Sequence, residues 1–157
     1  NTSCEALQSA LGARFVDPAS LRLIDVGPRW LVAQLGSVQE LLSLKPDYTR
    51  LAALERQLGA TGVTLFAPYT EGSATKLEVR SFAPSDGINE DPVCGSGNGA
   101  VAALRYGNGH LAAGAEYTAQ QGQCVGRAGQ VQVRIDQQGS VWIGGQCVTT
   151  ADGVLHV

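Results

Sequence analysis

One predicted helix, over residues 99–106, carries small apolar side chains on every side. Ala100, Val101 and Ala102 follow one another, so they point about 100° apart around such a helix, and Ala103 and Leu104 continue the apolar run. A helix that is apolar all round is stable only when other elements surround it. The rest of the chain must therefore supply a covering layer, and its alternating segments predict that this layer is a β-sheet.

Alternation of apolar and polar residues predicts the strands of that sheet. The predicted strands cover residues 21–26, 29–35, 63–66, 76–82, 117–121, 130–135, 141–143 and 148–157. Glycine-rich turns separate them, and Gly27-Pro28 predicts a tight reversal between the first two. The pattern indicates a single α+β domain over residues 1–157, in which a curved, barrel-like, mostly antiparallel sheet surrounds a central buried helix.

Capping residues mark three further helices. Ser3 is the predicted N-cap of the first, Ser37 and Glu40 form a capping box for the second, and Asp47 caps the third. Gly59 is the predicted end of the third helix. The predicted helices cover residues 4–11, 37–44 and 47–58. Residues 83–99 show neither the helical nor the strand periodicity, so we expect them to be irregular.

Composition excludes several classes of function. The net charge is −3 and only Lys45 and Lys76 are lysines, so no basic stripe exists for nucleic acid. No apolar run is long enough to predict a membrane span. The cysteines are far apart and histidines are scarce, so neither a zinc site nor a disulfide framework is indicated. We expect free thiols in a reducing cytoplasm, and no metal.

The residues that carry chemistry cluster just before the apolar helix. Glu90, Asp91, Cys94 and Ser96 stand among several glycines. Free N–H groups and the dipole at a helix start bind anions, so a substrate carboxylate or phosphate fits there. The same helix start is expected to lower the pKa of the Cys94 thiol, as a proton-transferring cysteine requires.

Each of these features also has a purely structural interpretation. A Gly-Ser-Gly-Asn-Gly run before a helix is an ordinary turn and cap. A buried cysteine is usually inert packing, and Glu90-Asp91 is equally typical of a solvated acidic turn. The residues by themselves leave both interpretations open.

Residues 90–97, which read Glu-Asp-Pro-Val-Cys-Gly-Ser-Gly, resemble the signature of the phenazine-biosynthesis isomerase-like family. Arg80, Phe82, Pro84 and Gly87 precede them at the family's spacing. Weaker similarities lie on both sides, in the strand pair around Asp25 and in the closing strands. The resemblance covers nearly the whole chain, but only the second half of a typical member.

The resemblance implies a fold and a reaction. Members of the family consist of two similar halves of the diaminopimelate epimerase fold, with the active site in the cleft between them. They are cofactor-independent isomerases, so the resemblance implies proton transfer on a small carboxylate-bearing metabolite. It implies catalytic roles for Asp91, Cys94 and Ser96, and substrate binding by Gly95, Ser96 and Gly97. Asp91 would bond polar groups of the substrate, and Cys94 would donate or accept a proton.

The chain departs from the family pattern in two places. Asp86 stands where diaminopimelate epimerase has an arginine for a substrate carboxylate, so diaminopimelate is not the expected substrate. In the phenazine-like branch a glutamate of the first half moves the proton, and this chain resembles the second half. We therefore expect an N-terminal half domain or a homodimer partner to complete the site. The chain begins at Asn1 and has no methionine, which favours a fragment or a processed product.

A different class of function also fits the sequence. The chain is then a non-catalytic module that binds a small anion at the helix start, or that pairs with a second copy through an exposed apolar face. An enzyme needs an acid–base partner across the cleft from Asp91 and Cys94, whereas a binding module needs only the anion pocket.

Structural roles are predicted for most other distinctive residues. Arg80 is expected to pair with Glu78 or Asp86, or to shape the cleft. Trp30 and Trp142 are predicted to pack in the core, and His110 is predicted to lie on the surface. Cys124 and Cys147 are predicted to be packing thiols.

Overall fold

The computed structural model describes residues 2–73 and 76–154. Its elements are α1 (Thr2–Leu11), β1 (Arg22–Asp25), β2 (Arg29–Gln34), α2 (Val38–Ser43), α3 (Tyr48–Leu58), β3 (Gly62–Pro68), β4 (Leu77–Ala83), β5 (Ile88–Asp91), α4 (Gly95–Gly107), β6 (Glu116–Gln121), β7 (Gly129–Ile135) and β8 (Val141–Gly144). Short 3-10 turns cover Pro18–Ser20, Pro84–Asp86 and Gln123–Val125.

The strands form one mixed sheet. Its order is β1-β2-β3-β4-β6-β7-β8, and β5 pairs with β4 outside this path. The pairs β2–β3 and β4–β6 are parallel, and the other pairs among the described strands are antiparallel. The prediction of a mostly antiparallel sheet is therefore confirmed.

The sheet curls around α4 into a half-barrel. Strands β1, β2 and β3 contact α4 from one side, and β7 and β8 contact it from the other. Ala100, Val101 and Ala102 are fully buried as a result. The predicted fold class, a diaminopimelate epimerase-like half with a buried central helix, is confirmed. The helix is buried because its small side chains let strands approach from several directions.

Side chains alternate between two apolar cores on opposite faces of the sheet. On β2, Trp30 and Val32 face the core around α4, whereas Leu31 and Ala33 face the core formed with α1, α2 and α3. The two cores bury both faces of the central strands. This explains why β3 and β4 are apolar or buried at nearly every position.

The helix caps were predicted correctly in two of three cases. Ser37 Oγ accepts the Glu40 amide at 3.0 Å, and Asp47 Oδ1 accepts the Arg50 amide at 3.0 Å. Ser3 lies inside α1, which already includes Thr2, so its predicted capping role is wrong.

The segment predicted to be irregular contains regular structure. It includes the 3-10 turn Pro84–Asp86, strand β5 and the first turn of α4, which begins at Gly95 rather than at residue 99. The glycines in this turn lower helix propensity, but Cys94 caps it and tertiary packing holds it.

The C-terminal tail differs from the prediction. Residues 145–154 form no strand, and the predicted strand positions 155–157 lie outside the described residues. Trp142 is 54% exposed, because its face of β8 is not covered. Cys124 and Cys147 are exposed rather than packed, whereas Trp30 is buried and His110 is exposed as predicted. None of the helices that the structure describes has the length and hydrophobicity needed to cross a bilayer.

Candidate functional site

A buried ion pair fixes the acidic end of β5 against β4. Arg80 on β4 binds Glu90 on β5 through Nε–Oε1 at 2.9 Å and Nη2–Oε2 at 2.7 Å. Both side chains are at most 4% exposed. The predicted partners Glu78 and Asp86 are therefore wrong for Arg80, and Glu90 is not part of a solvated turn. Asp91 follows Glu90 directly, so the ion pair also restricts the position of Asp91.

Asp91 lies at the mouth of the site and is half-buried. Its Oδ1 accepts the amide of Val93 at 3.0 Å, which turns the chain toward α4. Within the part of the chain that the structure describes, Oδ2 accepts no hydrogen bond. One carboxylate oxygen thus shapes the loop, and the other is available to a ligand.

Cys94 is the N-cap of α4. Its Sγ accepts the Gly97 amide at 3.2 Å, and its carbonyl accepts the Asn98 amide at 3.1 Å. The amides of Gly95 and Ser96 donate to no group of the described protein. These two are the free donors expected at a helix start, whereas the amide of Gly97 is already used within the protein.

Burial reverses the expected pKa of the Cys94 thiol. The side chain is 4% exposed, and this burial raises its pKa above the usual value. The Gly97 amide and the Ser96 hydroxyl lower the pKa, but the nearby Asp91 carboxylate raises it further. The prediction that the helix start lowers the pKa is wrong in its net direction. The raised pKa keeps Cys94 as a thiol near pH 7, rather than as the thiolate that a nucleophilic cysteine requires.

Gly97 lies where α4 packs tightly against the sheet. A Cβ added there would lie 2.7 Å from Ser81 Oγ and from Thr64 Oγ1, and 3.1 Å from Cys94 Sγ. The two hydroxyls hydrogen-bond each other at 3.0 Å and are fully buried. Only glycine allows the helix start to approach this pair.

Two buried amides, missed by the sequence analysis, hold the loop before α4. Gln121 Oε1 accepts the Cys94 amide at 3.2 Å and Asn98 Nδ2 at 2.8 Å, and its Nε2 donates to the Asp91 carbonyl at 2.8 Å. One side chain therefore fixes both ends of the Asp91–Cys94 loop. Gln121 lies 27 residues beyond Cys94, and no local pattern distinguishes it from other strand glutamines.

The exposed rim of the site is partly apolar. Val93, next to Cys94, is 46% exposed, and Ile143 of β8 is 39% exposed. A Cβ added to Gly95 would lie 3.7 Å from Ile143 Cγ2, so this isoleucine borders the helix start. An apolar rim around unbonded amides is typical of a surface that a partner or ligand covers.

The described residues contain no group of three or more His, Cys, Asp or Glu side chains that could hold a metal ion. The donors that converge at the helix start instead favour an anion. Two unbonded backbone amides and a hydroxyl are suitable donors for a carboxylate, and the unbonded oxygen of Asp91 is a suitable acceptor for polar groups.

The half-barrel and the helix buried within it define one half of the diaminopimelate epimerase class of folds. The chain belongs to the phenazine biosynthesis-like protein family, whose model matches residues 2–153.

Solved structures show the same fold. A phenazine biosynthesis protein of Bacillus anthracis superposes with a TM-score of 0.71 at 19% identity, over 89% of this chain and 50% of that protein. A predicted epimerase of Pseudomonas aeruginosa superposes with a TM-score of 0.67 at 23% identity, over 92% and 49%. At these identities the likeness concerns the fold alone.

Relatives identified by sequence also match this chain over only part of their own length. An uncharacterized isomerase of Deinococcus radiodurans is 36% identical over 73% of this chain and 38% of its own length. Antisense-enhancing sequence 1 of Schizosaccharomyces pombe is 36% identical over 83% and 45%. Trans-2,3-dihydro-3-hydroxyanthranilate isomerase of Pseudomonas chlororaphis is 28% identical over 82% and 45%. The chain thus spans less than half the length of these relatives.

Proposed function

We propose that this chain forms one half of the active site of a cofactor-independent isomerase or epimerase. The reaction is the removal and return of a proton on a small carboxylate-bearing metabolite. Relatives named as isomerases support the reaction class. The observation that carries the proposal is the pair of unbonded amides at Gly95 and Ser96, which follow the loop that begins at Asp91, whose Oδ2 is also unbonded.

Each residue has a distinct role in this proposal. The amides of Gly95 and Ser96 and the Ser96 hydroxyl bind the substrate carboxylate, which the dipole of α4 also favours. Asp91 accepts hydrogen bonds from polar groups of the substrate. Gly97 contributes to substrate binding only indirectly. Because it has no side chain, the start of α4 can pack against the sheet. Cys94, a neutral thiol, is a proton donor in the reaction.

A second half completes the site in this proposal. General acid–base catalysis requires a base within hydrogen-bond reach of the moving proton. That base comes from an additional segment of the same polypeptide or from a second copy of the chain. The exposed apolar side chains of Val93 and Ile143 at the rim support this arrangement, since a second half would bury them. Sedimentation of the chain as a monomer at micromolar concentrations would contradict pairing with a second copy.

The test uses the native protein, isolated with any segment or chain that accompanies these residues. Its intact mass is measured first, because a mass near twice that of this chain identifies a second half. The protein is then incubated in D2O with a panel of small carboxylates, beginning with trans-2,3-dihydro-3-hydroxyanthranilate. We expect deuterium to enter the carbon skeleton of at least one compound, at a rate that Asp91→Asn lowers by about tenfold or more, because a charged hydrogen-bond acceptor for the substrate is lost. Asp152→Asn, in the exposed tail, is the matched control.

Binding separates the enzyme from a non-catalytic anion module. Ser96→Ala is expected to weaken binding of the same carboxylate by about tenfold, since a hydrogen bond to a charged group is lost. Ser140→Ala, at an exposed serine, is the control. Binding that depends on Ser96 without any deuterium incorporation would establish the anion module instead. Binding that is unchanged in Ser96→Ala would overturn the site itself.

A further inference from the structure

We infer that Trp30 is a positioning residue, whose indole N–H orients the Ser96 hydroxyl so that its single hydrogen is available to the bound anion. The inference rests on the proposed function, because it concerns the same carboxylate site. It assigns to Trp30 a role beyond the core packing that its strand position predicts.

Only Trp30 can be the donor in the hydrogen bond between the two side chains. Trp30 Nε1 lies 3.1 Å from Ser96 Oγ. An indole N–H can only donate, whereas a serine hydroxyl has one hydrogen and two acceptor lone pairs. Ser96 is therefore the acceptor toward Trp30, and its own hydrogen must point elsewhere.

Two directions remain for the Ser96 hydrogen. Cys94 Sγ is 3.7 Å away, and this sulfur already accepts the Gly97 amide at 3.2 Å. Sulfur is also a weak acceptor. The other direction is the open side of the helix start, where the amides of Gly95 and Ser96 are unbonded. A carboxylate there offers charged oxygens, so it competes favourably for the hydrogen.

The sheet fixes the indole ring in place. Trp30 is 3% exposed and pairs in register with Gly62 on β3. A Cβ added to Gly62 would lie 2.6 Å from Cζ3 of the indole, so the ring occupies the space that a larger residue would need. The donor is therefore held by two strands rather than by a mobile side chain, and Ser96 is oriented before a ligand arrives.

The first experiment examines the hydrogen bond without any ligand. In a Trp142→Phe background, Trp30 contributes the only tryptophan indole signal of these 157 residues, because they contain two tryptophans. We expect Ser96→Ala to move the Trp30 indole proton upfield in a ¹H–¹⁵N spectrum, since its acceptor is lost. An unmoved indole proton would overturn the inference. This readout needs no replacement of Trp30 itself.

The second experiment is a double-mutant cycle on binding of trans-2,3-dihydro-3-hydroxyanthranilate by the native protein. Trp30→Phe keeps an aromatic ring but removes the N–H. We expect it to weaken binding by about threefold to tenfold in the wild type, and to have no effect in the Ser96→Ala background. Trp142→Phe, which removes the exposed indole, is the matched control and leaves binding unchanged.

The outcomes separate this inference from the proposed function. If Ser96→Ala weakens binding and Trp30→Phe acts equally in both backgrounds, Trp30 is only structural and the inference is overturned while the function stands. If Ser96→Ala leaves binding unchanged, both are overturned. An effect of Trp30→Phe that disappears without the Ser96 hydroxyl supports both, provided that thermal unfolding shows the variants to be folded.

Discussion

Arg80 and Glu90 form a bidentate ion pair that is almost fully buried between β4 and β5. Nη1 of the same arginine donates to the carbonyls of Leu41 and Leu44 at 2.9 and 3.1 Å, at the end of α2. One guanidinium thus joins two strands and a helix. Because Asp91 follows Glu90, this pair also fixes the carboxylate at the mouth of the candidate site.

Glu90→Gln is expected to lower the free energy of unfolding by about 3–5 kcal/mol, because it leaves the Arg80 charge buried without its partner. Urea unfolding monitored by circular dichroism measures this. Glu116→Gln, at an exposed strand position, is the control and should change stability by less than about 0.5 kcal/mol. A loss for Glu90→Gln no larger than the control would show that the pair is not stabilising.

Gln121→Leu removes the side chain that holds both ends of the Asp91–Cys94 loop. It leaves the Cys94 amide, the Asn98 side-chain amide and the Asp91 carbonyl without this partner. Each unsatisfied buried group costs about 1–3 kcal/mol, so we expect a loss of at least about 2 kcal/mol together with weaker carboxylate binding. Chemical denaturation and calorimetric titration report the two effects. Gln130→Leu, on the exposed face of β7, should show neither.

Gly97→Ala and Gly99→Ala test the close approach of α4 to the sheet. An added methyl group at residue 97 meets two hydroxyls at 2.7 Å, whereas at residue 99 the nearest atom is Ile143 Cγ1 at 3.8 Å. Gly97→Ala should therefore destabilise by about 1–3 kcal/mol. Gly99→Ala should be neutral or stabilise by up to about 1 kcal/mol, because alanine favours the helix. Equal effects of the two substitutions in thermal melts would refute the packing argument.

Glu55 should make stability fall as pH rises. Its carboxyl is buried, with Oε2 accepting the Ser85 amide at 3.0 Å and Oε1 unpartnered among the described residues. Burial raises its pKa above the usual 4.5, although the Ser85 amide lowers it. Its contribution is full below the unfolded-state pKa and is lost as pH rises through the folded-state pKa.

As the pH rises above 4.5, the free energy of unfolding should fall less in Glu55→Gln than in the wild type. Glu55→Gln removes only part of the pH dependence, because burial also raises the pKa of Glu78, which this variant retains. Denaturant titrations across this pH range measure the two slopes. Glu71→Gln, in an exposed turn, is the control and should match the wild type. Identical slopes for all three proteins would contradict the assignment.

Cys94 combines capping with a proposed chemical role, and two substitutions separate them. Cys94→Ser keeps an acceptor for the Gly97 amide, so stability should change little. Cys94→Ala removes the cap and should cost about 0.5–2 kcal/mol. If the thiol is the proton donor, both variants slow deuterium exchange while carboxylate binding persists. Unchanged exchange in Cys94→Ser would restrict Cys94 to a structural role.

Much of the fold followed from local patterns. The apolar period of residues 99–106 required a buried helix, and alternating residues indicated the strands around it. Ser37 and Asp47 cap their helices as predicted, since capping depends on residues close in sequence. The wrong predictions lie where tertiary contacts override local propensity. The glycine-rich first turn of α4 is helical despite its composition, and the tail after β8 pairs with no strand in the described residues.

The sequence by itself determined that carboxylates, a thiol and a hydroxyl gather before a buried helix, because these groups are neighbours along the chain. Only the tertiary structure decided which of their atoms are free. Arg80 binds Glu90, Gln121 ties Asp91 to Cys94, and Trp30 approaches Ser96 across 66 residues. Burial, which raises the pKa of Cys94 against the effect of the helix start, arises from packing of distant segments. Hydrogen-bond partners and desolvation depend on such three-dimensional neighbours, which local sequence does not specify.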